Sequence, residues 1–298
     1  MSRTKNLFEA LEILKEMGLK TQAIRAIHYL PPQPGRFRDY PGDVHPLLLS
    51  ALQQKGYHQL FLHQYLSWEA VRGGKNVVIV TPTASGKTLC YNLPVLQSIL
   101  EDSSSRAIYL FPTKALSQDQ RAELDEIISF LPEEVKVYTY DGDTPQDARR
   151  AIRAQGHIVI TNPDMLHSGI LPHHTKWIKL FKNLKYVVID ELHNYRGIFG
   201  SHLTNVLRRL KRIARFYGSK PLFILCSATI ANPREMAEKL IEEPVELIDD
   251  NGAPRGEKYF IFYNPPVINP YLGIRRSYVN ETRRIAAVFL EKKLQTIV

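Results

Sequence analysis

Six short apolar runs, most of them followed by a polar turn and a helical pattern, constrain the fold of this chain more than any other feature. The runs are NVVIV (76–80), AIYLF (107–111), VKVYTY (135–140), HIVIT (157–161), YVVID (186–190) and LFILC (222–226). Most are rich in β-branched residues and poor in polar ones, which is typical of strands buried on both faces. Such strands, alternating with helices, predict an α/β fold with a mostly parallel sheet flanked by helices.

The chain has 298 residues, which is enough for one large α/β domain with an appendage. Apolar residues at helical spacing between residues 6 and 18 predict an N-terminal helix, and the Pro- and Gly-rich stretch 29–43 predicts an irregular loop. We therefore expect a helical appendage over 1–43, a main domain over 44–266, and a linker helix with the start of another strand over 267–298.

The first run leads into TPTASGKT (81–88), which matches most of a phosphate-binding loop. Gly86, Lys87 and Thr88 have the expected identities, but Thr81 stands where the pattern has its first glycine. A slim loop can direct backbone N–H groups at phosphate oxygens, a lysine can reach the outer phosphates, and a hydroxyl can bind Mg²⁺. The strand before this loop and the helix after it favour a nucleotide site over a chance match. The predicted nucleotide-binding residues are Thr83, Ala84, Ser85, Gly86, Lys87 and Thr88.

Two further motifs follow buried strands. VVIDELH (187–193) ends its strand in paired carboxylates, Asp190 and Glu191. Acidic residues also suit an ordinary helix N-terminus, but downstream of the glycine–lysine–threonine loop they favour catalysis. Asp190 could hold Mg²⁺ through its water shell, and Glu191 could deprotonate an attacking water. CSATIANP (226–233) places hydroxyls at Ser227 and Thr229, where helix capping is the alternative role.

Taken together, TPTASGKT, PTKAL, TNPDML, DELH and SAT, in this order, resemble the first RecA-like domain of superfamily 2 helicases of the DEAD/DEAH type. The resemblance covers residues about 45 to 250, and in that family a glycine-poor phosphate loop is usual. The segments around TYDGDT, DELHNYRGIFGSH and APRGEKYFIFYNPP are similar to the bacterial mitomycin-repair helicases. That group is related to eukaryotic RecQ-like helicases with a C-terminal cysteine-rich domain.

The resemblance implies a RecA-like P-loop NTPase domain that uses ATP and Mg²⁺. It implies the N-terminal motor lobe of an ATP-dependent DNA helicase of DNA repair. Gln64 matches the glutamine that reads adenine, although a surface glutamine on a helix is the alternative. Thr88 and Asp190 would hold Mg²⁺, with Lys87 on phosphate and Glu191 as the base. The residues that would couple hydrolysis to movement of a second domain are His193, Ser227 and Thr229.

Three polar turns at strand ends suit a nucleic-acid track, because helix N-termini, backbone amides and hydroxyls bind phosphate oxygens without reading sequence. The predicted contacts are Pro112, Thr113, Lys114, Asp141, Gly142, Thr161, Asn162, Pro163 and Asp164. The formal net charge of +9 agrees with an anionic partner. The expected partners are single-stranded DNA adjoining a duplex and DNA-repair proteins.

Three other functions stay open: an RNA helicase, a P-loop kinase or other soluble NTPase, and a non-catalytic module that binds a partner through residues 1–58. The sparse cysteines, Cys90 and Cys226, suit small core residues in a reducing, cytoplasmic protein. No apolar run reaches membrane-spanning length. The resemblance implies a second RecA-like domain beyond this chain, with the apolar ending QTIV as the start of its first strand. We expect the chain alone to hydrolyse ATP poorly, because the arginines of that domain are missing.

Overall fold

The computed structural model describes residues 2–132 and 135–298, and the chain packs into two compact units. The smaller unit consists of two stretches of the chain, the residues up to Gln33 and Arg255–Val298, and the larger unit is Pro34–Pro254. These units describe how the chain packs. The predicted division into domains at residues 43 and 266 stays a prediction.

The regular elements are numbered along the chain. Within the described residues the α-helices are α1 (Ser2–Lys20), α2 (Pro46–Gln54), α3 (Leu62–Arg72), α4 (Lys87–Glu101), α5 (Lys114–Ile128), α6 (Gln146–Gln155), α7 (Pro163–Met165), α8 (Ile178–Lys182), α9 (Gly197–Phe216), α10 (Pro233–Ile241) and α11 (Tyr278–Glu291). A π-helical turn forms at Leu166–Ile170, and 3₁₀ turns form at Leu171–Lys176 and Leu192–Asn194. The strands are β1 (Ile24–Leu30), β2 (Phe37–Arg38), β3 (Leu60–Phe61), β4 (Val77–Val80), β5 (Arg106–Leu110), β6 (Val137–Thr139), β7 (Ile158–Thr161), β8 (Leu184–Ile189), β9 (Leu222–Ser227), β10 (Glu246–Ile248), β11 (Lys258–Tyr263), β12 (Val267–Asn269) and β13 (Ile274–Arg275).

The larger unit is built around a seven-stranded sheet with the order β10-β4-β9-β8-β5-β7-β6, and all of its neighbouring strands are parallel. All six predicted strands lie in it, which confirms the predicted parallel sheet. The edge strand β10 is an addition that the sequence analysis did not predict. Because the strands run the same way, their carboxyl ends meet at one edge, and the polar turns that follow them lie along that edge.

Both faces of this sheet are buried, as the apolar runs predicted. In β4, Val77 and Ile79 join one core cluster, while Val78 and Val80 join the other on the opposite face. Alternation of side chains across a strand requires this arrangement. Helices α3, α4 and α5 contribute to the first cluster, and α9 and α10 contribute to the second. Each fully buried side chain of this kind stabilises the fold by about 1.5–3 kcal/mol relative to exposure.

The smaller unit pairs strands from distant parts of the sequence. β1 is antiparallel to β11, with Ile24 opposite Tyr263 and Leu30 opposite Lys258. The stretch predicted as an irregular loop thus contains the end of β1 and also β2. Residues 294–298 have no regular secondary structure, so the strand predicted at 296–298 is not formed. A strand needs a neighbour for its N–H and C=O groups, and among the described strands none pairs with this segment.

Two expectations about the wider character of the chain concern cysteines and membranes. Both cysteines are buried and unpaired, which confirms Cys90 and Cys226 as small core residues. Over residues 2–132 and 135–298, no helix has the length and apolar character that crossing a bilayer would need.

Candidate nucleotide-binding site

The phosphate loop, residues 81–88, connects β4 to α4 and adopts an unusual backbone. Gly86 precedes α4 with φ of 78°, in the left-handed region that glycine tolerates best. A Cβ at this position would lie 2.9 Å from Gln64 Nε2, so both conformation and space favour glycine. At the start of the loop, the Thr81 and Ser85 hydroxyls are 2.6 Å apart and form a hydrogen bond. This bond closes the loop where the common pattern has its first glycine.

Lys87 is held by the loop that it belongs to. Its Nζ donates hydrogen bonds to the carbonyl oxygens of Thr81 at 2.8 Å and Pro82 at 2.9 Å. The lysine therefore crosses the mouth of the loop and is half-buried there. Phosphate oxygens would be stronger acceptors for an ammonium group than these neutral carbonyls. The loop thus keeps the lysine close to where a phosphate would bind.

The carboxylate of Asp190 lies near the phosphate loop at the same sheet edge. Asp190 follows β8, which is separated from β4 only by β9. The Tyr91 hydroxyl, one helical turn after Lys87, lies 3.3 Å from Asp190 Oδ2. Asp190 Oδ1 accepts a hydrogen bond from the backbone N–H of Glu191 at 2.8 Å. Burial raises the pKa of Asp190 to about 6, because the charged form is poorly solvated.

A glutamine from a neighbouring helix joins these groups. Gln120 of α5 accepts hydrogen bonds at its Oε1 from the Thr88 hydroxyl at 3.0 Å and from the Tyr91 hydroxyl at 2.7 Å. Thr88 and Asp190, the two predicted Mg²⁺ ligands, are therefore linked through Gln120 and Tyr91. Neither bridging residue was predicted, because only the folded chain places α5 beside α4.

The carboxylate of Glu191 lies beside His193 of the 3₁₀ turn that follows it. Glu191 has φ of 54° and ψ of 45°, and its Oε2 is 3.2 Å from His193 Nδ1. The Ser227 hydroxyl is 3.5 Å from the same His193 nitrogen, at the limit of a hydrogen bond. Three of the predicted catalytic and coupling residues are thus adjacent. Thr229 is exposed, and its side chain makes no hydrogen bond within the described residues.

A cavity of about 330 Å³ lies beside the phosphate loop. It is lined by Phe37, Gly56, Tyr57, His58, Gln59, Phe61, Gln64, Gly86, Leu89 and Glu123. The rings of Phe37 and Phe61 have their centroids 5.2 Å apart. This cavity offers aromatic surface for a nucleobase, which the sequence analysis did not locate. Phe61 stands three residues before Gln64, which was a usable signal, whereas Phe37 lies in the two-residue strand β2, inside the stretch that was predicted as an irregular loop.

Gln64 lies at this cavity with its amide already engaged. Its Oε1 accepts from the backbone N–H of Phe61 at 2.8 Å, and its Nε2 donates to the carbonyl of Gly86 at 2.9 Å. The residue is buried rather than on the helix surface, so the surface alternative is excluded. Reading of adenine by Gln64 would exchange at least one of these bonds and stays a prediction.

The predicted nucleic-acid turns follow β5, β7 and β6, which are neighbours in the sheet. Thr113 caps α5, and Asn162 caps the short α7 by accepting from the backbone N–H of Met165 at 2.7 Å. Lys114 is exposed and forms an ion pair with Asp143. Thr161 is buried, and its hydroxyl donates to the carbonyl of Tyr140 at 2.7 Å. The structure thus commits the Thr161 hydroxyl to the fold.

The other predicted contacts lie at the same edge of the sheet. Pro112 is half-buried, Gly142 and Asp164 are exposed, and Asp141 accepts the backbone N–H of Asp143 at 3.0 Å. The exposed members of the set leave backbone and side-chain groups accessible to a phosphate backbone. No cluster of three or more histidine, cysteine or acidic side chains suited to a metal ion occurs in the part of the chain that the structure describes.

Comparison with known proteins places these features among helicases. Residues 61–237 match the DEAD/DEAH box helicase family. The chain is 59% identical over 271 residues to the uncharacterized ATP-dependent helicase YprA of Bacillus subtilis, and the aligned region covers 91% of this chain and 36% of YprA. It is 38% identical over 295 residues to the ATP-dependent helicase hrq1 of Schizosaccharomyces pombe, and the aligned region covers 96% of this chain and 28% of hrq1. The chain therefore spans about a third of the length of these relatives.

Solved structures show the same architecture. The DUF1998 helicase MrfA bound to DNA has a TM-score of 0.93 and 55% identity, covering 97% of this chain and 38% of MrfA. MrfA bound to DNA and AMPPNP has a TM-score of 0.92 and 55% identity, covering 97% of this chain and 40% of MrfA. The Mycobacterium smegmatis helicase Lhr, bound to ssDNA and AMP-PNP, has a TM-score of 0.63 and 26% identity over 71% of this chain and 28% of Lhr. These likenesses confirm the predicted RecA-like fold class.

Proposed function

Because the chain belongs to the DEAD/DEAH box helicase family, we propose that it is the ATP-binding motor lobe of an ATP-dependent DNA helicase that acts in DNA repair. The observation that carries this proposal is the link from Thr88 through Gln120 and Tyr91 to Asp190. It joins the phosphate loop to the acidic motif at one edge of the sheet. The likeness to MrfA bound to DNA and AMPPNP supports DNA and an ATP-type nucleotide as ligands.

Nucleotide binding is proposed to use the phosphate loop and the cavity beside it. Backbone N–H groups of residues 83–88 and the N-terminus of α4 would bind phosphate oxygens. Lys87 would exchange its two carbonyl acceptors for phosphate oxygens. The base would lie in the aromatic cavity that Phe37 and Phe61 line.

Mg²⁺ is proposed as the cation of this site, because the oxygen donors present suit a hard divalent ion. The Thr88 hydroxyl and the Asp190 carboxylate would hold it. The raised pKa of the buried Asp190 carboxylate fits such a role, since a cation would compensate a poorly solvated charge. When bound, Mg²⁺ would neutralise negative charge on the phosphate oxygens.

Glu191 is proposed to accept the proton of the water that attacks the γ-phosphate. Its carboxylate is half-buried, and His193 lies within 3.2 Å of one oxygen. That contact orients the carboxylate, and the 3.5 Å approach of Ser227 to His193 continues the link to the end of β9. His193, Ser227 and the exposed Thr229 are proposed to couple hydrolysis to movement of a second domain.

Single-stranded DNA adjoining a duplex is the proposed polynucleotide partner, bound along the turns after β5, β6 and β7. Exposed Thr113, Lys114 and Gly142 are accessible for contacts to phosphates. DNA-repair proteins are proposed as further partners. A cytoplasmic location is part of the proposal, since both cysteines are unpaired, as expected in a reducing compartment.

The test compares the full-length wild-type protein with Glu191→Gln for AMPPNP binding, DNA-stimulated ATP hydrolysis and strand separation. We expect the variant to bind AMPPNP as the wild type does and to hydrolyse ATP about 10²- to 10⁴-fold more slowly. Glu235→Gln, an exposed glutamate on α10, is the matched control and should behave as the wild type. Unchanged turnover in Glu191→Gln would remove the assigned base.

Substrate class is tested separately with matched DNA and RNA duplexes that carry single-stranded tails. Faster separation of the DNA duplex by the full-length protein supports the proposal. Preference for RNA would identify an RNA helicase instead. ATP turnover that neither polynucleotide stimulates would point to a P-loop NTPase without helicase activity.

A further inference from the structure

Gln120 connects the proposed nucleotide site with the helix that begins at a predicted DNA-contact turn. Its Oε1 accepts one hydrogen bond from Thr88 in the phosphate loop region and another from Tyr91 in α4. An amide oxygen has two lone pairs, so this atom is fully used by the nucleotide side of the unit. Gln120 itself belongs to α5, whose first residue, Lys114, and N-cap, Thr113, are predicted DNA contacts.

Helix α5 can transmit a displacement between these two positions. Gln120 lies six residues after Lys114, which is roughly 9 Å along a helix axis at 1.5 Å per residue. Thr113 caps the helix by accepting from the backbone N–H of Leu116, and Ser117, Leu124 and Ile127 bury one face of it. A capped and packed helix moves as one body, so a shift at Gln120 also moves the helix start.

The hydrogen bonds that hold Gln120 respond to charge at the nucleotide site. Tyr91 has one hydroxyl proton and two acceptors, Gln120 Oε1 at 2.7 Å and Asp190 Oδ2 at 3.3 Å. A change in the charge that Asp190 experiences changes the competition for this proton. A change in the donor strength of the Thr88 hydroxyl acts on the same amide oxygen. Both predicted Mg²⁺ ligands thus act on α5 through one side chain.

We propose that Gln120 is a positioning residue that couples occupancy of the nucleotide site to DNA binding at the N-terminus of α5. The inference rests on the proposed function, since it requires both ligands. Gln118 provides the contrast: it is exposed on the same helix, two residues away and therefore on a different face. Binding of nucleotide and binding of DNA should depend on each other through Gln120 and be indifferent to Gln118.

The experiment measures the dissociation constant of a fluorescent single-stranded DNA for the full-length protein by anisotropy, with and without AMPPNP and Mg²⁺. We expect Gln120→Ala, which removes the acceptor of both hydrogen bonds, to reduce the ratio of the two constants by about three- to tenfold, the scale of a net hydrogen-bond contribution. DNA affinity without nucleotide should stay within about twofold. Gln118→Ala, the matched control, should keep the wild-type ratio. Because coupling is reciprocal, the effect of DNA on AMPPNP affinity should fall by the same factor.

One further variant makes the outcome decisive. Tyr91→Phe removes one donor while keeping the ring, so it should also lower the ratio, and it serves if Gln120→Ala does not fold. A wild-type ratio that persists in both variants would overturn the inference, as would a wild-type protein that binds both ligands independently. A wild-type protein that binds neither DNA nor AMPPNP would contradict the proposed function itself.

Discussion

His63 of α3 should limit the stability of the fold on the acid side. Its ring is completely buried, next to the predicted adenine-reading Gln64, and lies over Phe61 with ring centroids 5.9 Å apart. Its Nδ1 accepts a hydrogen bond from the backbone N–H of Gly252 at 3.2 Å. Burial lowers the pKa of His63 to about 4, because a charged ring would be poorly solvated there.

The size of the effect of His63 on the free energy of unfolding follows from the difference between this pKa and the ordinary histidine pKa of 6.5. About 2.5 pKa units at 1.36 kcal/mol each give about 3 kcal/mol. The folded state keeps His63 neutral where the unfolded chain already binds a proton. This contribution is therefore fully present above pH 6.5 and is lost as the pH falls from 6.5 towards 4.

The assay is urea unfolding of wild type and His63→Gln at several pH values between 7.5 and 4.5. Glutamine keeps an acceptor for the Gly252 N–H but does not titrate. As the pH falls across this range, we expect the free energy of unfolding of the wild type to decrease by up to about 3 kcal/mol more than that of the variant. The pKa of His157 is also lowered to about 4 by burial, so the difference between the two proteins isolates His63.

Exposed His167 supplies the control, since His167→Gln should follow the wild-type pH dependence. The variant His63→Gln is also expected to lose ring packing equally at every pH, which shifts its curve without changing the slope. If wild type and His63→Gln lost stability in parallel as the pH fell, the argument from burial would be refuted.

Three further outcomes are expected. Lys87→Ala should weaken AMPPNP binding by at least about tenfold in calorimetry, because a charge-assisted contact is lost, while exposed Lys179→Ala should not; equal affinities would contradict this. Phe61→Ala should weaken the binding of AMPPNP by about 1–3 kcal/mol if the base stacks on the ring, and should leave the binding of tripolyphosphate unchanged; equal losses for both ligands would exclude stacking. Val188→Ala in the centre of β8 should lower the free energy of urea unfolding by about 2–3 kcal/mol, and a smaller loss would mean that the core closes around the gap.

The central sheet could be predicted because each strand carries its own apolar signal. The predicted runs 76–80 and 222–226 correspond to β4 and β9, and the alternation with helices implied that they run parallel. β10 was missed because it has only three residues and begins with a glutamate. The pairing of β1 with β11 joins segments from opposite parts of the sequence, and no local pattern shows which strands will meet.

The candidate site divides in the same way. Spacing within TPTASGKT and VVIDELH was enough to predict Lys87 and Asp190 as site residues, because those motifs are local in sequence. The roles of Tyr91 and Gln120 depend on the packing of α4 against α5, and glutamine or tyrosine in a helix gives no signal of its own. Thr161 shows the opposite limit: its position at a strand end predicted a nucleic-acid contact, and no local pattern showed that its hydroxyl donates to the carbonyl of Tyr140.

The left-handed backbone at Glu191 has an energetic cost that can be judged from this structure alone. A left-handed conformation at a residue with a Cβ costs about 1–2 kcal/mol, and glycine would adopt it nearly free of that cost. Folding alone would therefore favour glycine at position 191. A glutamate here gives up stability to place one carboxylate, so under the proposed role of Glu191 the demands of folding and of hydrolysis would oppose each other at this residue.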